Sequence, residues 1–208
     1  INYMAHAFES ARYKKEDFGG DRPYAVYFSK RVNECLPHEG SLSAYSNLTD
    51  TLDYECELAV IIGKDCRNVP AENAFKYIFG YTILNDISAR NLQTRHKQWY
   101  LGKSLDGFAP LGPCIVTEDE FERPPVLNIK TYVNGQLRQN SSTELLIFDI
   151  PHIIEELSSA MTLRSGTIIS TGTPAGVGMG FQPPKFLKKG DVVECCIENI
   201  GTLTTYID

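Results

Sequence analysis

"YECELAVIIG", residues 54–63, decides how the chain is read. Read as a strand, its period of two places Tyr54, Cys56, Leu58 and Val60 on one face and Glu55, Glu57, Ala59 and Ile61 on the other. Residues two apart share a face at a spacing of about 7 Å, so the two carboxylates project together where the strand enters an apolar layer. On a solvated face such a Glu-x-Glu pair needs no explanation, and spacing alone leaves that reading open. At the edge of a core, two carboxylates repel and lose hydration unless a cation compensates them. Hard divalent ions such as Mg2+ take oxygen ligands and keep positions open for water or substrate. Asp86 in "LNDISAR", between a predicted strand and a predicted helix, offers a third carboxylate; its alternative is a helix N-cap.

Outward from this stretch the pattern is rich in strands. "AVYFSK" (25–30), "GYTILND" (80–86), "CIVT" (114–117), "GTIIST" (166–171), "DVVECCIEN" (191–199) and "GTLTTYID" (201–208) read as strands. "LNIKTYVNGQLRQN" (127–140) reads as a hairpin, because Asn134-Gly135 supplies the two positive-φ residues of a type I′ turn. Helices are few. A short one is expected within residues 1–12, others over "AENAFKYIF" (71–79) and "ISARNLQTRHKQW" (87–99), and an amphipathic one over "DIPHIIEELSSAM" (149–161), with Asp149 or its neighbour as N-cap and Pro151 in the first turn. Residues 13–23 read as a charged loop, "NECLPHEGSLSAYSNLTD" as a long irregular stretch and "GKSLDGFAPLGP" as loop. The helices do not follow the β-α-β-α rhythm of a doubly wound sheet. The pattern therefore predicts a single α+β domain over 1–208, dominated by a curled, mixed sheet.

Composition narrows the function. Net charge is −6, and the basic clusters, Lys14-Lys15 and Lys185 with Lys188-Lys189, are short, so no basic stripe is present for nucleic acid. No apolar run approaches the roughly 20 residues that cross a bilayer. The six cysteines form no C-x-x-C pair, which removes the usual zinc and redox motifs and fits buried thiols in a reduced cytoplasm.

"NYMAHAFE" holds His6 and Glu9, neighbours on one helical face. A carboxylate that holds an imidazole makes a general base near neutral pH, although a surface pair of this kind is also common. Lys103 lies between Gly102 and Gly107, but the Walker pattern fails because its upstream glycine falls at Lys97. "STGTPAGVGMG" reads either as turn chemistry or as a backbone-rich cradle for a small carboxylate, with Thr173 as a hydroxyl donor.

In order, "NYMAHAFE", "YFSK", "YECELAVIIG", "LNDISARNLQ", "GKSLDGFAPLGP", "VNG", "STGTPAGVG" and "LKKGDVVE" followed by "IENIGTL" resemble the fumarylacetoacetate hydrolase family, in its branch of acylpyruvate hydrolases, oxaloacetate decarboxylases and hydroxyheptadienedioate isomerases. The resemblance spans nearly the whole chain. It implies a β-rich mixed-sheet roll or barrel, a homodimer, Mg2+ or Mn2+ as cofactor, and a segment preceding Ile1. It also implies Glu55, Glu57 and Asp86 as metal ligands, Lys103 beside the metal, Arg90, Gln93 and Thr173 facing substrate, and Lys30 as a further basic group. His6 and Glu9 would form a water-activating dyad on a lid, residues 1–23. The activity implied is hydrolysis of a carbon–carbon bond in an acylpyruvate-type 2-oxo acid through an enolate, with oxaloacetate decarboxylation sharing that enolate. Isomerisation of 2-hydroxyhepta-2,4-diene-1,7-dioate and a non-catalytic ligand-binding member are the alternatives.

Overall fold

The computed structural model describes residues 1–17, 19–20 and 22–208. Along the chain come α1 (Met4–Lys14), β1 (Gly40–Leu42), β2 (Leu52–Asp53), β3 (Cys56–Ile62), β4 (Ile78–Asn85), β5 (Ser88–Ala89), α2 (Arg90–Arg95), α3 (Tyr100–Lys103), β6 (Leu111–Thr117), β7 (Asn128–Val133), β8 (Gln136–Ser142), α4 (Ile150–Ala160), β9 (Ile168–Ser170), β10 (Val192–Ile197) and β11 (Gly201–Ile207). One sheet has the order β1-β11-β10-β7-β8, a second β6-β4-β3-β9, and β2 pairs with β5. Pairing is antiparallel except for β1 on β11, so the architecture is mixed α+β as the sequence predicts.

The two larger sheets share one core. Leu58, Val60, Tyr81 and Ile83 from one meet Ile129, Val193, Cys195 and Leu203 from the other, and Ile150, Ile153 and Ile154 of α4 join the same cluster. Burying each such side chain stabilises the fold by roughly 1.5–3 kcal/mol. β3 lies between β4 and β9 and is buried along its whole length. On its other side Ala59 packs with Leu84 and Ala109 in a small second cluster. Glu57 therefore sits on a strand with no solvated face.

Local signals fix several elements. Asn134 and Gly135 take positive φ, 52° and 74°, between β7 and β8. Asp149 caps α4, its Oδ1 accepting the His152 N–H at 2.8 Å, with Pro151 in the first turn.

Other expectations are corrected. "AVYFSK" forms no strand: β propensity works only where a neighbouring strand pairs, and here none does. The segment instead packs by side chains. Tyr27 donates to Glu156 at 2.5 Å, and Phe28 meets Trp99 edge-on at 5.1 Å. The helix expected over 87–99 shrinks to α2, because Ser88–Ala89 pairs with β2 and Lys97 turns to a φ of 57°. "AENAFKYIF" is a 3-10 helix over Ala71–Tyr77 that runs into β4. The expected loop at 102–113 begins inside a helical turn, α3, and ends inside β6, and the irregular stretch contributes β1. Cys56, Cys66 and Cys195 are buried thiols as expected, whereas Cys114 is exposed.

Candidate active site

β3 and β4 run antiparallel with Cys56 opposite Asn85, so Glu55, just before β3, lies beside Asp86, just after β4. The Asp86 N–H donates to the Glu55 carbonyl at 2.8 Å, and the Glu55 N–H to Asn85 Oδ1 at 3.1 Å, which fixes the two carboxylates relative to each other. Glu55, Glu57 and Asp86 are all buried, and each offers a carboxylate oxygen within 4.8 Å of the other two. Asp86 is not a helix cap; Ala89 stands at that position of α2.

Cations converge on two of the three. Lys103 Nζ lies 2.8 Å from Glu55 Oε2 and 2.6 Å from Asp86 Oδ2. Lys30 Nζ lies 2.6 Å from Asp86 Oδ1 and donates to the Ile87 carbonyl at 3.1 Å. Arg90 Nη1 lies 2.6 Å from Glu55 Oε1 and 3.1 Å from Gln93 Oε1. Glu57 accepts instead from the Ser170 hydroxyl and, at 2.9 Å, from the Gly172 N–H.

These surroundings part the two glutamates. Burial alone would raise the Glu55 carboxyl, but Lys103 and then Arg90 outweigh it and hold it well below the usual carboxylate range. Glu57 is pushed up to about 7 by burial, with the negative charges of Asp86 and Glu55 adding to the effect. Burial would lower Lys103, yet Asp86 and Glu55 keep its ammonium charged above the usual lysine value. Burial prevails at Lys30 and lowers it. An all-oxygen set of three buried carboxylates, one of them disfavouring its own charge, fits a hard divalent cation such as Mg2+ or Mn2+.

His6 and Glu9 lie on α1, with His6 Nδ1 2.9 Å from Glu9 Oε2. The other Glu9 oxygen accepts the Gly176 N–H at 2.9 Å. A Cβ at Gly180 would stand 1.8 Å from Glu9 Oε1, so glycine there leaves room for the Glu9 carboxylate in this position. Arg12 Nη2 adds a bond of 2.6 Å to the Gly180 carbonyl. Asn2 pins the start of the segment, donating at 2.9 Å to both the Phe148 and Thr171 carbonyls.

A cavity of about 610 Å³ is lined by His6, Lys30, Glu55, Glu57, Asp86, Arg90, Gln93, Lys103 and Thr173. Glu9 stands behind His6. The Thr173 hydroxyl is already engaged, donating to the Cys56 carbonyl at 2.9 Å and accepting from Gln139 at 2.8 Å. The glycine-rich loop is a cradle for carboxylates, but for the protein's own. Gly172 N–H serves Glu57, Gly176 N–H serves Glu9, and the Gly178 and Met179 N–H groups serve Asp53 at 2.6 and 3.0 Å. At these four donors the expected substrate carboxylate is displaced by internal ones. Asp53 was missed by sequence reasoning, although it lies one further step of two before Glu55.

The family model described as fumarylacetoacetate (FAA) hydrolase C-terminal matches residues 1–208. The chain belongs to the fumarylacetoacetate hydrolase family. It is 46% identical over 207 residues to the oxaloacetate tautomerase YisK of Bacillus subtilis, covering 99% of this chain and 67% of that protein. A solved fumarylacetoacetate hydrolase from Exiguobacterium antarcticum superposes with a TM-score of 0.89 at 45% identity, over 100% of this chain and 72% of the other. The fumarylpyruvate hydrolase of Pseudomonas aeruginosa, solved in complex with Mn2+ and pyruvate, gives a TM-score of 0.85 at 29% identity over 99% and 85%. Against curated relatives from Staphylococcus epidermidis and Staphylococcus aureus the chain spans 60% of their length. The fumarylacetoacetate hydrolase family is thus one of enzymes, with hydrolase, isomerase and tautomerase members. No helix among the described residues is long and apolar enough to cross a membrane.

Proposed function

We propose that the chain acts on short 2-oxo acids through an enol or enolate, with a divalent cation on Glu55, Glu57 and Asp86 and His6 as the general base. The observation that carries this reading is the His6–Glu9 pair, 2.9 Å apart, whose imidazole faces the same cavity as three buried carboxylates and Lys103. Mg2+ or Mn2+ bound there would supply Lewis-acid stabilisation of negative charge on the 2-oxo oxygen.

The chain's own residues do the rest. Glu9 accepts from Nδ1–H, fixing the tautomer that leaves His6 Nε2 basic and stabilising the imidazolium once a proton is taken. Lys103, held charged by Asp86 and Glu55, places an ammonium where the enolate oxygen develops. Lys30 and Gln93 form the polar wall for the substrate carboxylate, while Thr173, with its hydroxyl engaged, shapes that wall. Arg90 holds Glu55 from behind.

Two reactions use this arrangement. In tautomerisation of an oxaloacetate-type acid, His6 takes the proton from the carbon next to the 2-oxo group, leaving the enolate, and returns that proton to the enolate oxygen to give the enol; the same transfers run in reverse. In an acylpyruvate, His6 takes a proton from water, which attacks the distal carbonyl, and the C–C bond breaks to release an acid and the pyruvate enolate. The relative named oxaloacetate tautomerase supports the first, and the neighbour named fumarylpyruvate hydrolase the second. With Mg2+ or Mn2+ present, decay of enol-oxaloacetate absorbance and pyruvate release from acylpyruvates separate them. His6→Ala is expected to lower the active reaction by about 100-fold or more while Mn2+ binding persists. Turnover within about threefold of wild type in that variant removes His6 as the base, and tight Mn2+ binding without turnover of any 2-oxo acid favours a non-catalytic member.

A further inference from the structure

We infer that Asp53 is a positioning residue of this site: it shares Arg90 with Glu55 and ties that arrangement to the loop that holds Glu9 and Glu57. Asp53 is fully buried, and its carboxylate is filled by donors. Oδ1 accepts the Tyr54 N–H at 2.9 Å and the Gly178 N–H at 2.6 Å. Oδ2 accepts the Met179 N–H at 3.0 Å and Arg90 Nε–H at 2.9 Å, while Arg90 Nη2 lies 2.9 Å away as an ion-pair contact without a hydrogen bond. A carboxylate offers about four lone-pair positions, so none is left for a ligand.

Arg90 is as buried as its partner, and its planar guanidinium presents one edge to Asp53. With Nε and Nη2 turned to Asp53, Nη1 meets Glu55 at one oxygen, Oε1. The other Glu55 oxygen remains toward Lys103 and the triad. Without the Asp53 charge, the full cation of Arg90 would fall on Glu55 in a low-dielectric interior and draw it away from the triad. The same carboxylate accepts the Gly178 and Met179 N–H groups, two positions beyond the Gly176 N–H that holds Glu9, and so ties the Arg90 pair to that loop. Asp53 does not line the cavity; its influence passes through Arg90 and the loop.

The inference rests on the proposed reading of Glu55, Glu57 and Asp86 as cation ligands. Its test is calorimetric titration of the metal-free chain with Mn2+ for wild type, Asp53→Asn, Arg90→Gln and the double variant. Asp53→Asn is expected to weaken Mn2+ binding by about tenfold or more, the size of effect that outer partners of metal ligands show. The double variant, which removes the stranded guanidinium along with its partner, is expected to return to within about threefold of wild type. Damage to the fold alone would leave the double variant at least as weak as Asp53→Asn, and that result overturns the inference. If Asp53→Asn does not fold, the double variant decides: near-wild-type affinity supports the inference, and a loss of about tenfold overturns it. Wild-type protein that binds no Mn2+ overturns the triad reading and this inference together, whereas normal binding by wild type and Asp53→Asn alike overturns this inference alone.

Discussion

Glu55 and Glu57 stand two residues apart yet are held in opposite charge environments, and this has a pH signature. In the folded metal-free chain Glu57 is pushed up to about 7 from an ordinary value of 4.5, by burial and by its two carboxylate neighbours. Between those values the folded chain keeps a proton that the unfolded chain has released, so stability falls as pH rises through the window. The loss is complete about one unit above pH 7 and amounts to roughly 3 kcal/mol. Glu55 is shifted the other way by Lys103 and Arg90, and its contribution is present above the ordinary carboxylate value and lost only as pH falls toward its low folded value. It is therefore constant from pH 5.5 to 7.5. Urea denaturation of metal-free protein should show a decline across that range that Glu57→Gln flattens; an unchanged slope in the variant would refute the environment assigned to Glu57. How much of the site the sequence shows follows from the same residues. Period two exposes Glu55 and Glu57, and helical spacing exposes His6 and Glu9. Asp53 lies on the same alternation, one step before the stretch from Tyr54 that reads as strand. That the N–H groups of residues 172–179 would be taken by internal carboxylates is written in no local pattern, because Glu9 reaches the loop from α1 and Asp53 and Glu57 reach it from residues 53–57, both far from it in sequence.

Elements place Lys103 through one close packing. α2 and α3 approach so tightly at Gly102 that a Cβ there would lie 2.3 Å from the Gln93 nitrogen and 2.7 Å from the Ala89 carbonyl oxygen. Gly102→Ala must push α3 away from α2 and carry the adjoining Lys103 off Glu55 and Asp86. Overpacking of this kind costs about 1–3 kcal/mol, so the urea midpoint should fall, and turnover should fall with it in the fraction that remains folded. Wild-type turnover in folded Gly102→Ala would show that the α2–α3 spacing does not set the position of Lys103. The sequence shows this element only in part. "GKS" marks Lys103 as unusual, yet the helical turn reads as loop because four residues carry too little periodicity to register. By contrast Asn134-Gly135 and the Asp149 cap were legible, since each is satisfied by its own neighbours. "AVYFSK" misled for the converse reason: its strand propensity is real, but the partner it would need is absent among the described strands.

In the whole molecule, the site is a seam where distant parts of the chain end. The start of β3, the end of β4, α3 and the loop after β9 supply the polar walls, and α1 is fastened over them by Asn2, Glu9 and Arg12. The fold class could be read from strand number and helix spacing, but the division into two facing sheets and the parallel pairing of β1 with β11 could not. Those pairings join residues far apart in sequence, where no local pattern reaches. The seam also predicts how a cation acts on the molecule as a whole. Glu57 joins it to the loop through Gly172 N–H, and the loop joins it to α1 through Gly176 N–H and Glu9. A ligand that binds only the folded state adds about 2.7 kcal/mol at 100 times its Kd. Mn2+ at that excess should raise the urea midpoint accordingly. It should also slow amide hydrogen exchange in α1 and residues 172–180, as well as at the start of β3, since those segments open together when the seam does. Glu55→Gln and Glu57→Gln should each remove most of both effects. Protection confined to β3 would separate α1 from the cation site, and equal stabilisation of wild type and both variants would place the ion elsewhere.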